Sequence, residues 1–263
     1  MKFTKAQAYG NDFLYVEARN VEGASPSALT REICDRHTGV GADGLIVYSR
    51  TTEGATMRLY NADGGEAEVS GNGVRGLAAL LLRGETRGAV TVETVAGPKR
   101  VTLVDASAAR PSFRTAMGLP AGLRQTPVRA AGESIPIVVL NFGNPQCIAL
   151  GPQPDDERFR RLGAAIETHA MFPGSTNVEF ATVEAPGSVR IRIWERGVGP
   201  TMSSGTGSCA ALVAAAAFGG ANRDAMVIAP GGAQRVEWRD ESVYLTGWAE
   251  VVCEGEWFRE LPR

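Results

Sequence analysis

Apolar and polar residues alternate in short segments along most of the chain, and this pattern predicts a protein built mainly from β-strands. The 32 glycines and 14 prolines supply the turns that separate these segments. The segments that fit strands are residues 13–17, 45–48, 57–60, 89–94, 100–104, 135–140, 147–150, 177–183, 189–194, 225–228, 234–239, 242–246 and 249–253.

Four other segments fit helices, and two of them are apolar on nearly every side. Segments 26–35 and 155–167 are amphipathic, which is typical of helices that cover one face of a sheet. Segment 74–82 is apolar except for Arg75, and segment 209–218 is apolar throughout. A helix without a polar face must be buried, so we predict a central helix inside each of two strand-rich units.

A short glycine-rich motif precedes each of the two apolar helices. Ser-Gly-Asn-Gly occupies residues 70–73, and Ser-Gly-Thr-Gly occupies residues 204–207. A glycine-rich turn at a helix N-terminus presents backbone N–H groups and a positive dipole end, which suits an anion. Two such ends facing each other would suit a reaction that treats both faces of one carbon alike. Serine is also a preferred N-cap residue, and capping alone would explain either serine.

The repeat extends beyond this motif. Residues 57–61 match 191–195 at the same offset of 134 as the serines, while 10–12 match 143–145 and 44–47 match 177–180 at an offset of 133. Several matches in one order at a nearly constant offset indicate an internal duplication. The predicted fold class is therefore α+β, with two pseudo-symmetric domains. We predict residues 1–115 with the C-terminal strand 250–263 as one domain, and residues 116–249 as the other.

Composition argues against several classes of partner. The formal net charge of −2 and the absence of a basic block give no reason to expect nucleic acid or an anionic membrane surface. The four cysteines form no C-x-x-C pair and there are two histidines, so no metal is expected. Scattered cysteines and an N-terminus without an apolar signal segment predict a cytoplasmic protein.

Amide and charged side chains cluster in or beside the repeated motifs. An adjacent acid and base, Glu195 and Arg196, end a predicted strand just before the second glycine turn, where they could hold the ammonium and carboxylate of an amino acid. A surface ion pair is the alternative for this dipeptide, and local turn formation is the alternative for the asparagines. The asparagines in question are Asn11, Asn61, Asn72, Asn144 and Asn177.

At these residues the chain resembles the diaminopimelate epimerase family. The motifs that carry the resemblance are GNDF at 10–13, CDRHTGVGADG at 34–44, NADG at 61–64, GNG at 71–73, GNP at 143–145, ETH at 167–169, NVEF at 177–180 and ERGVG at 195–199. The resemblance implies two mirror-related domains, each a barrel-like sheet around a central helix, with the substrate in the cleft between them. It also implies racemisation without pyridoxal phosphate or another cofactor, by two opposed bases.

The resemblance assigns roles to particular residues. The two base positions, which the family fills with cysteine, fall on Ser70 and Ser204. The residues expected to bind the reacting carboxylate are Gly71, Asn72, Gly205 and Thr206. The residues expected to hold the other amino-acid end of the substrate are Asn11, Asn61, Asn144, Asn177, Glu195 and Arg196. The expected partner is a small amino acid, and the oligomeric state stays open, with a homodimer as the candidate.

Serine at both base positions leaves three functional hypotheses. A hydroxyl is a weak base unless a neighbour activates it, and His37 or Glu66 could do so only if the fold brings one of them close. The chain is then a diaminopimelate epimerase, a related racemase or dehydratase acting on another amino acid, or an amino-acid-binding protein without turnover. A further departure is Gln146, where the family usually has histidine. We rank the epimerase first because all five residues Asn61, Asn144, Asn177, Glu195 and Arg196 are as the family has them.

Overall fold

The computed structural model describes residues 1–86, 88–106 and 110–263, and the chain divides into two compact units. Unit 1 consists of Met1–Thr115 together with Gly247–Arg263, and unit 2 consists of Ala116–Thr246. Unit 1 thus takes in the last segment of the chain. Among the described helices, none combines the length and the apolar composition that crossing a membrane requires.

The described residues of the first half of the chain form eight strands and two helices. The strands are β1 (Lys2–Ala8), β2 (Asn11–Glu17), β3 (Gly44–Arg50), β4 (Gly54–Asn61), β5 (Glu66–Ala67), β6 (Ala89–Thr94), β7 (Gly97–Asp105) and β8 (Ser112–Gly118). The helices are α1 (Pro26–Ile33) and α2 (Gly71–Leu82), and a 3₁₀ turn lies at Ala18–Asn20. These strands pair with their neighbours in chain order, except that β5 and β6 both pair with β4.

The second half repeats this series. Its strands are β9 (Ala121–Ala130), β10 (Glu133–Asn141), β11 (Pro145–Leu150), β12 (Asn177–Ala185), β13 (Ser188–Glu195), β14 (Gly199–Thr201), β15 (Asp224–Ala229), β16 (Gly232–Trp238) and β17 (Val243–Trp248). Its helices are α3 (Asp156–Glu167) and α4 (Gly205–Ala214), which continues as a π-helical turn over Ala215–Gly219. The last strand, β18 (Glu250–Glu256), pairs with β1 in unit 1, as β9 pairs with β10 in unit 2.

The strand registers confirm the predicted internal duplication. In the parallel pair β2–β3, Tyr15 lies opposite Ile46, and in the parallel pair β11–β12, Ile148 lies opposite Glu179. Each residue of the second pair is therefore 133 positions after its counterpart in the first pair. The other parallel pairs, β4–β6 and β13–β15, also correspond. Each unit therefore has the same strand order and the same mixture of parallel and antiparallel pairs, as expected for two pseudo-symmetric α+β units.

Each unit is built around one buried helix. In α2 every residue except Leu80 is buried, and in α4 every residue is buried. Strand side chains pack on α2 in unit 1 and on α4 in unit 2. The amphipathic helices α1 and α3 cover separate clusters, with Ser25 and Asp155 capping their first turns. The two central helices fix the positions of the two glycine turns.

Candidate active site

Ser70 begins the central helix of unit 1 and caps its first turn. Its hydroxyl oxygen accepts a hydrogen bond from the N–H of Gly73 at 3.1 Å. The turn lies against β3, because a Cβ at Gly73 would come within 2.8 Å of Cδ1 of Ile46. A side chain at this position would have to displace Cδ1 of Ile46. The N–H groups of the turn stand at the positive end of a twelve-residue helix.

A chain of amides extends from this turn into the sheet of unit 1. The side-chain amide of Asn72 donates to Oδ1 of Asn11 at 3.2 Å, and the amide of Asn11 donates to Oδ2 of Asp43 at 2.7 Å. On the other side, the guanidinium of Arg75 donates to Oδ1 of Asn72. The two predicted site residues Asn11 and Asn72 are thus joined to each other and held in place by Asp43 and Arg75.

Two carboxylates behind Asn11 have opposite pKa shifts. Burial raises the pKa of Asp43, and the negative charge of Asp12 adds to this shift. Burial acts in the same direction on Asp12, but hydrogen bonds from Arg36 and Lys5 hold the pKa of Asp12 below its usual range. The Arg36 guanidinium bridges both carboxylates at 2.7 Å. The ion cluster keeps Asp43 in place as the acceptor for Asn11.

Ser204 caps the central helix of unit 2 in the same way. Its hydroxyl oxygen accepts from the N–H of Gly207 at 3.0 Å, and the buried side chain is 7% exposed. The amide of Asn144 donates to the hydroxyl of Thr206 at 3.2 Å, which is the counterpart of the contact between Asn72 and Asn11. Both halves of the chain therefore present the same arrangement of helix cap, glycine turn and supporting asparagine.

The predicted acid–base pair of unit 2 lies in a turn next to Asn177. The carbonyl oxygen of the Asn177 side chain accepts from the backbone N–H of Arg196 at 3.0 Å, and its amide donates to the carbonyl of Pro145 at 3.1 Å. Glu195 is the last residue of β13 and accepts from the N–H of Val198 through its carbonyl. Asn144, Asn177, Thr206 and the turn that carries Glu195 and Arg196 are thus tied together within unit 2.

The last predicted site residue, Asn61, ends β4 directly opposite Gly44 on β3. Its backbone closes the following turn, since its N–H donates to the carbonyl of Gly65 at 2.8 Å. Glu66, a candidate activator of serine, pairs with Arg58 at 2.8 Å. His37 is exposed in a turn whose N–H groups are held by Asp35. Neither geometry assigns Glu66 or His37 to a catalytic role.

The carboxylate of Glu167, at the end of α3, stabilises the turn that contains Glu195 and Arg196. One carboxylate oxygen accepts from the indole N–H of Trp194, and the other accepts from the N–H of Gly197, both at 2.7 Å. We expect Glu167→Gln to lower the free energy of unfolding by about 2 kcal/mol, because one bond to a charged acceptor is lost and an NH₂ group faces an N–H. Urea denaturation measures this. The control Glu157→Gln, on the exposed face of the same helix, should change stability by less than about 0.5 kcal/mol, and equal effects would contradict the assignment.

The sequence-based reasoning missed two buried charged residues that break the symmetry of the halves. Arg75 on α2 is fully buried, and the equivalent residue on α4 is Cys209. Glu179 on β12 is fully buried, and the equivalent residue on β3 is Ile46. Each is the one charged residue in its apolar segment, which is the signal that could have revealed it. Within the described part of the chain, no group of three or more His, Cys, Asp or Glu side chains is arranged to hold a metal.

The duplicated α+β fold of this chain is also found in solved structures of other proteins. Of the solved structures that share the fold, a predicted epimerase from Pseudomonas aeruginosa superposes with a TM-score of 0.79 at 16% identity, covering 98% of this chain and 99% of that one. A probable proline racemase from Agrobacterium radiobacter has a TM-score of 0.74 at 16% identity, covering 98% and 93%.

The sequence comparisons are more specific than the fold. The family model for diaminopimelate epimerase matches residues 3–121 and 138–252. The diaminopimelate epimerase of Desulforudis audaxviator is 41% identical over 98% of this chain and 100% of its own length, and that of Methanococcus maripaludis is 33% identical over 97% and 99%. The chain belongs to the diaminopimelate epimerase family.

Proposed function

We propose that this protein is an isomerase that converts LL-diaminopimelate to meso-diaminopimelate, in the biosynthesis of lysine and peptidoglycan precursors. The observation that carries the proposal is the matched pair of capped glycine turns, each supported by an asparagine at 3.2 Å, in a chain of this family. We place the protein in the cytoplasm, acting without a cofactor on a free amino acid, with a homodimer as its candidate assembly.

The proposed roles follow the two half-sites. The N–H groups of the turns at Gly71, Asn72, Gly205 and Thr206 bind the reacting carboxylate, since helix N-termini favour negative charge. Asn11, Asn61, Asn144, Asn177, Glu195 and Arg196 bind the distant amino-acid end. Ser70 and Ser204 occupy the base positions, where one group removes the α-proton and the other returns a proton to the opposite face of the carbon.

The hydroxyl groups limit the rate of this reaction. A thiol at a helix N-terminus ionises readily, because the dipole and the N–H groups stabilise the thiolate. A hydroxyl roughly five pKa units less acidic costs about 7 kcal/mol more to ionise. Each hydroxyl oxygen accepts a bond from a backbone N–H, which would also stabilise the ionised oxygen but offsets only part of this cost. We therefore expect tight binding with slow turnover.

The test combines exchange with binding. The wild-type protein is incubated with diaminopimelate in D₂O, loss of the α-hydrogen signal is followed by NMR, and binding is measured by calorimetry with L-lysine, which lacks the second amino-acid centre, as the control ligand. Binding of diaminopimelate in preference to lysine, with slow exchange, is the expected result. If diaminopimelate neither binds nor exchanges, the proposal is wrong.

A second candidate function is an amino-acid-binding protein without turnover. The specific observation that favours it is the use of both serine hydroxyls as helix caps. Saturable binding of diaminopimelate with no exchange above the rate in buffer would favour this alternative over the isomerase.

A further inference from the structure

The buried acid of unit 2 lies directly beneath the second glycine turn. Glu179 is 0% exposed on β12, and a Cβ at Gly207 would overlap its Oε1 and lie 3.0 Å from both Cδ of Glu179 and Oγ of Ser204. In unit 1 the equivalent position is apolar, with Ile46 beneath Gly73. The carboxyl group beneath the second turn therefore has no counterpart at the equivalent position of unit 1.

One amide connects this acid to the turn. Gln146 on β11 is also 0% exposed, and one of its two amide atoms lies 3.2 Å from both carboxyl oxygens of Glu179. Its other amide atom lies 3.1 Å from the hydroxyl of Thr206 and 2.9 Å from Oδ1 of Asn144. An amide has a donor at one end and an acceptor at the other. Ionised Glu179 can only accept, whereas protonated Glu179 can also donate, so the state of Glu179 biases which end of Gln146 faces Thr206.

When Glu179 carries a proton, its O–H donates to the carbonyl of Gln146. The Gln146 amino group then donates to Thr206, whose oxygen already accepts from Asn144 at 3.2 Å. With both lone pairs used, the Thr206 hydroxyl hydrogen points away from the network and can donate to a ligand.

When Glu179 is ionised, it can only accept. The Gln146 amino group then turns toward the carboxylate, and the Gln146 carbonyl accepts from the Thr206 hydroxyl at 3.1 Å and from the amide of Asn177 at 3.2 Å. The Asn144 amide must turn with it, because its Oδ1 would otherwise lie 2.9 Å from that carbonyl. The hydrogen of the Thr206 hydroxyl is now used inside the protein. The turn loses a donor, and the buried negative charge also repels an anionic ligand.

We propose that Glu179 is a positioning residue that, through Gln146, determines whether the Thr206 hydroxyl donates to the ligand carboxylate or to the protein. The inference rests on the proposed function, since it requires Thr206 to belong to the carboxylate-binding turn. The two half-sites are then unequal. The turn of unit 2 has its full affinity for a carboxylate only while Glu179 is neutral, whereas the affinity of the turn of unit 1, which lies over Ile46, does not depend on such a group.

The surroundings of Glu179 favour the neutral form. Complete burial raises the pKa of Glu179 well above the usual carboxyl range, and the charge of Glu195 on β13 adds to the shift. Cys147 on β11 has its side chain on the opposite face of the sheet, and its thiol pKa is raised by burial and by the charge of Glu179. The N-terminus of α4 acts in the opposite direction, since it favours a carboxylate. The affinity for the ligand should be highest at pH values below the pKa of Glu179 and should decrease as the pH rises through that pKa.

The experiment uses the full chain and titrates it with meso-diaminopimelate by calorimetry between pH 6 and pH 10. The wild type should lose about tenfold in affinity as Glu179 ionises, which is the effect of one hydrogen bond to a charged group. Glu179→Gln, which keeps a donor but cannot ionise, should not show this loss. Glu157→Gln, an exposed change of the same charge, should behave as the wild type.

NMR of the Gln146 side-chain amide, in the protein without ligand, supplies a readout that does not depend on binding. Its signals should shift over the same pH range in the wild type and stay constant in Glu179→Gln, with the fold of each variant checked by thermal unfolding. Equal pH dependence of affinity in the wild type and Glu179→Gln, or a Gln146 signal that ignores pH, overturns the inference alone. If no variant binds diaminopimelate at any pH, the proposed function is wrong. The role of Thr206 in binding is then wrong as well, even if NMR shows that the Gln146 amide changes orientation with pH.

Discussion

Replacing both Ser70 and Ser204 by cysteine is expected to raise the rate of α-hydrogen exchange in diaminopimelate by about 10⁵-fold. The factor follows from the cost of forming the base: a difference of roughly five pKa units corresponds to about 7 kcal/mol in the activation free energy. Both positions lie at the N-terminus of a buried helix, where a thiolate is stabilised. NMR in D₂O measures the exchange, and optical rotation or chiral chromatography measures the change of configuration.

Single replacements distinguish a paired site from two independent groups. If one residue removes the proton and the other returns it, Ser70→Cys or Ser204→Cys alone should gain far less than the square root of the double effect, because the remaining hydroxyl still limits one of the two transfers. Ser208→Cys is the matched control, since Ser208 is buried one turn further along α4 and donates to the carbonyl of Ser204. It should leave exchange unchanged. A double variant that binds the ligand without faster exchange would refute the two-base assignment.

The central parts of the fold could be predicted because their sequence allows only one environment. Apolar residues on every side of α2 and α4 require burial, and the constant offset of the matching motifs relates the two units. Two of the strands that were not predicted, β1 and β9, have weaker patterns. β1 places small and polar residues between β18 and β2, and most of β9 is exposed, so backbone pairing rather than apolar alternation maintains them.

The candidate site was predictable only in part, for a related reason. The capped turns and the amides beside them depend on residues that are close in sequence, so a short motif is enough to predict them. The contacts of Gln146 with Glu179 and of Asn72 with Asn11 depend on which strand lies beneath which helix. An isolated acid in the segment NVEF at 177–180 has the same appearance whether it faces solvent or a helix N-terminus. Only the parallel pairing of β11 with β12 places it under the turn.

Gly76→Ala should produce the largest loss of stability among small substitutions in α2. A Cβ at this position would collide with the hydroxyl of Tyr15 and lie 3.0 Å from its Cζ. The tyrosine cannot move freely, because it is fully buried and donates to the carbonyl of Gly73 at 2.9 Å. We expect a loss of about 3 kcal/mol in the free energy of unfolding, at the upper end for overpacking in a core. Denaturant titration followed by fluorescence measures it.

The duplication provides the compensating change. The residues of unit 2 that correspond to Gly76 and Tyr15 are Ala210 and Ile148, and both are fully buried. The natural pairs are therefore glycine with tyrosine and alanine with isoleucine, so Tyr15→Ile should make room for the alanine. The double variant should be more stable than Gly76→Ala alone, with a coupling energy of about 1–3 kcal/mol.

Ala210→Gly, the reverse change in unit 2, should cost only about 1 kcal/mol because it removes helix propensity without a collision. If Gly76→Ala costs no more than Ala210→Gly, or if Tyr15→Ile fails to relieve it, glycine is not required by the tyrosine, and the two cores differ for another reason.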